Sequence, residues 1–71
     1  MKEYTVIFER GEHSWGAYVP DLPVCVAAGQ TREEVEELIR EAIQMHIEDL
    51  RATGEPVPDP THFAASIRVA A

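Results

Sequence analysis

A single cysteine among 71 residues, Cys25, leaves no partner for an intramolecular disulfide, which fits a reducing compartment. Cations are also scarce. Six Lys and Arg stand against 13 Asp and Glu, a formal net charge of −7 with a sequence pI of about 4.7. Such a chain is repelled by phosphate backbones and attracted to basic partners. Its cations are scattered and form no patch for nucleic acid. No apolar run reaches the ~18 residues that a membrane helix needs. The N-terminal MKEYTVIFER is charged and strand-like, unlike a signal peptide, so the expected location is cytoplasmic. His13, His46 and His62 lie far apart, without metal-ligand spacing, and neither metal nor cofactor is expected. The length predicts one domain, residues 1–71, that buries only about 60% of its unfolded surface. Domains of this size often gain stability by oligomerising or by holding a partner.

Glycine and proline are missing from the stretch after Thr31 and before Gly54, and that stretch is the clearest feature of the chain. Thr31 has the side chain of an N-cap, and Glu34 completes the capping-box pattern. Glu33 and Glu34 place negative charge at the positive end of the helix dipole. Val35, Leu38, Ile39, Ala42, Ile43, His46, Ile47 and Leu50 recur at helical spacing and form one apolar stripe. The opposite face is charged, with Glu36 and Arg40 in the favourable i, i+4 order. Gly54 supplies a left-handed stop, and Pro56 prevents a restart. The spacing predicts one helix of about six turns.

Ahead of the helix, Lys2 to Arg10 alternates as a strand, with Tyr4, Val6 and Phe8 opposite Thr5, Ile7 and Glu9. Gly11-Glu12-His13-Ser14 reads as a hairpin turn and Trp15 to Val19 as the second strand. Pro20-Asp21-Leu22-Pro23 is a stiff loop, and Val24 to Ala28 a third strand in which Cys25 is a small buried hydrophobe. Glu55 to Pro60 is a proline-rich connector. Phe63 to Val69 alternates again and predicts a fourth strand, joined to the third by a right-handed helical crossover. The fold class is α+β: a two-layer β-β-β-α-β sandwich with one helix packed on a small mixed sheet. One helix covers one sheet face. Yet Ile7 lies opposite Val6 and Phe8, and Trp15 opposite Tyr18, so another chain is expected over the second face or an edge.

The run from Gly16 through Tyr18, Pro20-Asp21-Leu22-Pro23 and Cys25 to Gly29-Gln30-Thr31-Arg32-Glu33-Glu34 resembles the signature of the HicB antitoxin family. Glu41-Ala42-Ile43 and the tail Gly54 to Pro60 are similar as well. Val24 stands where the family usually has Gly, which puts the loop shape in question. Many members carry a further ribbon-helix-helix or helix-turn-helix module; these 71 residues contain none, so the expectation is a short form. The resemblance implies a partial RNase H-like fold. It also implies a partner, the small basic HicA toxin, an RNase with a double-stranded-RNA-binding fold whose site the antitoxin masks.

That places the candidate partner-binding residues at Trp15, Tyr18, Asp21, Leu22 and Pro23, in a homodimer or homotetramer that makes no direct contact with nucleic acid or membrane. Asp21 has a structural alternative, capping its own turn. Trp15 and Tyr18 serve equally well as interface anchors or as ordinary sheet packing. His46 reads as a core histidine bonded to a neighbouring group. The expected activity is binding without catalysis. Two-metal hydrolysis needs converging carboxylates, and the first strand has none in its middle. A degenerate RNase H-like metal-dependent nuclease that depends on Asp21, and an orphan oligomeric regulator without a toxin, are the alternatives.

Overall fold

The computed structural model describes residues 1–71. Its elements run β1 (Ile7–Arg10), β2 (Trp15–Val19), β3 (Leu22–Gly29) and α1 (Arg32–Ala52). The strands form one antiparallel sheet in the order β1-β2-β3, and α1 packs across β3 and β2. This is an α+β arrangement of two layers.

Helix α1 begins and ends as its sequence dictates. The Glu34 N–H donates to the Thr31 hydroxyl at 3.1 Å. The return bond of the box lands one residue upstream, where the Gln30 N–H donates to Glu34 Oε1 at 2.7 Å. At the other end Gly54 takes φ +76°. Glu55 N–H reaches the Leu50 carbonyl at 2.9 Å and Gly54 N–H the Arg51 carbonyl at 3.2 Å, the paired bonds of a Schellman stop. Glu36 and Arg40 form their ion pair at 3.5 Å on the exposed face.

Alternation sorts the sheet residues into two faces. Tyr4, Val6, Phe8 and Trp15 turn toward α1 and pack against the core; Tyr18 turns away and is exposed. The core comprises Ala17, Val19, Leu22, Cys25, Val35 and Ile39. Cys25 behaves as a small hydrophobe, its burial pushing the thiol pKa up, and its Sγ lies 3.7 Å from the Ala42 carbonyl. Arg32 covers the Phe8 ring, 4.9 Å from its centroid.

Several sequence expectations need correction. The β1 ladder starts at Ile7 and not at Lys2, because the partner strand turns away at Pro20, which has no N–H to donate. Pro23 interrupts pairing without ending the strand: β3 starts at Leu22, opposite Val19, and the regular ladder resumes at Val26, opposite Tyr18, across a register shift. The fourth strand, Phe63–Val69, does not form, since no strand of this chain lies beside it. The parallel crossover and the mixed sheet fall with it, and the sheet is wholly antiparallel. His46 is half-buried and not part of the core. The cause is length: α1, with 21 residues, runs about 31 Å, while the five-residue β2 spans about 17 Å. Only Val35 and Ile39, in the first half of the helix, become fully covered.

Leu22 sits where the strand start, the helix and Cys25 meet. Leu22→Ala should cost about 2–5 kcal/mol, most of the stability a domain of this size has. Urea denaturation followed by circular dichroism should show a collapsed midpoint or a chain unfolded before denaturant is added.

Candidate functional site

The turn between β2 and β3 carries Asp21, and the chain returns to it from 40 residues away. After α1 the connector runs back past the N-terminal segment. Lys2 pairs with Asp59, and the Tyr4 hydroxyl donates to the Pro58 carbonyl at 2.5 Å. The Thr5 hydroxyl donates to the His62 carbonyl at 2.8 Å. Asp21 then takes the tail in both carboxylate oxygens. Oδ2 accepts the Thr61 N–H at 2.9 Å and the His62 N–H at 3.1 Å. Oδ1 accepts the Thr61 hydroxyl at 2.6 Å and lies 2.7 Å from His62 Nδ1.

This cluster is a latch. Bonds to the ionised form favour it, so the Thr61 hydroxyl first, then His62 and the two backbone N–H groups, hold the Asp21 carboxyl well below the usual carboxylate range. The Asp21 side chain keeps only 6% of its surface open, whereas the His62 side chain is 59% open. The structural role expected of Asp21 is therefore real, but its partner is the distant tail and not its own turn. Sequence reasoning missed Thr61 and His62. The only local signal was a hydroxyl residue and a histidine following Pro60, and nothing in a sequence period links positions so far apart.

Beside the latch lies the face that α1 leaves uncovered. Ile7, Tyr18 and Val26 stand in register across the three strands. Tyr18, Val24 and Val26 are exposed large apolar side chains, and Pro23 is exposed beside them. The acids of α1, Glu33, Glu36, Glu37 and Glu41 among them, are exposed on the other side of the molecule. The sequence candidates thus fall into four groups. Tyr18 and Pro23 are on the open surface, Trp15 is half-buried against the core, and Leu22 is fully covered. Asp21 is engaged by the tail. No helix is long and apolar enough to cross a membrane.

The β-β-β-α order, the Pro20-Asp21 turn and the capped helix that follows it can now be set against known proteins. The model of the HicB_like antitoxin of bacterial toxin-antitoxin systems matches residues 4–70. The chain belongs to the HicB-like antitoxin family. A UPF0150 protein of Synechocystis is 41% identical over 56 residues, covering 78% of this chain and 71% of the relative. A UPF0150 protein of Thermoplasma acidophilum is 39% identical over 57 residues, covering 79% of this chain and 83% of its own length. Among solved structures, the N-terminal domain of the antitoxin HicB of Burkholderia pseudomallei superposes with a TM-score of 0.69 at 30% identity. That match covers 87% of this chain and 69% of the other. A HicB-like antitoxin of a toxin-antitoxin system is what family and fold together indicate.

The latch has a pH dependence whose sign follows from the Asp21 shift. A carboxyl whose folded pKa is depressed adds stability that is fully present above its unfolded value, near 4, and is lost as pH falls toward the folded value. The Thr61 and His62 amides should stay protected from hydrogen exchange at neutral pH and lose protection, after correction for intrinsic rates, only below about pH 4. Asp21→Asn should release both amides at neutral pH while the amides of α1 remain protected.

Proposed function

We propose that this protein binds a small basic ribonuclease toxin of the HicA type in the cytoplasm and masks its active site, without catalysing a reaction itself. The observation that carries the reading is the uncovered sheet face, where Tyr18, Val24 and Val26 stand exposed on an acidic molecule of net charge −7. Exposed apolar side chains grouped on one face favour a protein partner. Negative charge over the whole chain speeds encounter with a basic one and rejects nucleic acid. Tyr18 and Pro23 make the contacts. Trp15 and Leu22 act from beneath by fixing the course of β2 and β3, and Asp21 fixes the turn between them. The whole of residues 1–71 serves as one binding unit. Its working form is a homodimer or homotetramer, because the partial RNase H-like plan calls for a strand after the helix and the lone chain leaves Phe63–Val69 unpaired.

The test is capture from the protein's own cell lysate at moderate salt, read by mass spectrometry. A small basic protein recovered in near-stoichiometric amount, whose RNase activity falls on titration with this chain, is the expected result. Recovery of the bait alone overturns the reading. With the toxin in hand, Tyr18→Ala should weaken binding by about 30-fold, as loss of an interface anchor does. Calorimetric titration measures that change, and an unchanged Kd would remove Tyr18 from the contact.

A further inference from the structure

Helix α1 is not centred on the sheet. It sits chiefly over β3 and less over β2, and β3 is the outer strand on that side. Val35 and Ile39 point down into the core. Ile39, Ile43 and Ile47 line the flank that faces residues 1–8. At about 100° per residue, Glu34, Leu38, Glu41 and Met45 fall on the opposite flank. Contacts at two points fix where that flank lies. The Glu34 carboxylate accepts from the Gln30 N–H and fills the space that a side chain on Gly29, the last residue of β3, would need. The Ala42 carbonyl lies against Cys25, so Met45 stands nearer the Pro23 end of the same strand.

The flank exposes more apolar surface than a solvated helix face does. Leu38 is 41% and Met45 63% exposed. They are seven residues apart, two turns along one line, or about 10 Å. Glu34 and Glu41 run beside them at the same spacing. Both acids are exposed and neither enters an ion pair, whereas Glu36 is neutralised by Arg40. On the far side of β3, Val24 and Val26 are exposed as well. The β3 margin is therefore apolar on both of its sides and acidic along its upper rim. An apolar line beside a charged line, both repeating every seven residues, is the seam of a helix pair, in which the flanking charges choose the partner. Pro23 offers no N–H to an added strand at this margin, which favours a helix held by its side chains.

We propose that the toxin contributes a helix with an apolar stripe and a basic flank, which lies along Leu38 and Met45 and sets its cations against Glu34 and Glu41. The proposal rests on the toxin-masking reading above and adds which element of the toxin is held, and where. Charge selects the occupant: a second copy of this flank would set Glu34 and Glu41 against its own acids, whereas a basic helix meets them with opposite charge. The toxin then grips β3 from two sides, with Tyr18 and Val26 below the margin and Leu38 and Met45 above it.

The test uses the full chain and the small basic protein recovered with it. Met45→Asp should weaken binding by about tenfold or more in calorimetric titration, with an unchanged circular dichroism spectrum, because the side chain is exposed. Glu41→Lys should weaken it several-fold at low salt, and the difference from the unaltered chain should shrink as salt rises. Gln44→Asp, on the flank facing residues 1–8, should leave the Kd unchanged. Benzoylphenylalanine placed at Met45 should cross-link on irradiation to a helical segment of the toxin. An unchanged Kd for both Met45→Asp and Glu41→Lys overturns the assignment of this flank, while RNase inhibition by the unaltered chain still upholds the masking reading. A cross-link to a second copy of this chain, or to a strand of the toxin, also overturns it. Recovery of the bait alone removes the masking reading and this proposal together.

Discussion

The contact of Val35 and Ile39 with the inner face of β2 and β3 is the constraint on which the molecule depends. Six side chains are fully covered, and two of them come from one stretch of helix barely more than a turn long. Burying a side chain of this type contributes about 1.5–3 kcal/mol, set against an ordering cost of similar total size. So small a core tolerates no gap at its centre. The rest of the design concentrates order around it: the Thr31 and Glu34 bonds fix where the helix starts, and the short Pro20–Asp21 turn holds β2 and β3 at the register that receives it.

Beyond this core the molecule is held by polar contacts of long sequence separation. Lys2 with Asp59, Tyr4 with Pro58 and Thr5 with His62 tie the tail to the N-terminal segment, and Asp21 with Thr61 and His62 ties it to the β2–β3 turn. Proline at positions 56, 58 and 60 lowers the entropy lost when the connector is fixed. The arrangement turns the carboxylate of the β2–β3 turn into an anchor for the tail. The Pro20–Asp21 turn, next to Tyr18 and Pro23, is therefore mechanically tied to the segment that leaves the body.

What was legible in the sequence follows the range of the forces involved. Helix α1 was legible to within a residue at each end, because cap, stripe and stop are all local. The inward set of Tyr4, Val6 and Phe8, the opposed faces of Trp15 and Tyr18, and the burial of Cys25 followed from period-2 alternation. The failures are non-local. A strand pattern in Phe63–Val69 states a preference for pairing, but pairing needs a neighbour, and no periodicity says whether the same chain supplies one. His46 has the right angular position on the stripe and the wrong axial one, since the stripe outruns the sheet. Leu22, taken for a surface contact because it sits in a loop motif, is the first residue of β3 and closes the core. The latch partners of Asp21 were invisible, because their separation exceeds any local period.

Pro23 has a consequence for growth. A sheet of three strands has two margins, and an open margin is a template on which other strands can pair. Here one margin is β1 and the other is β3, which carries a proline near its start and offers no N–H at that point. One margin is thus receptive and the other is blunted. The β1 margin, Ile7–Arg10, holds no proline, so the two edges of the sheet are unequal partners for any further strand.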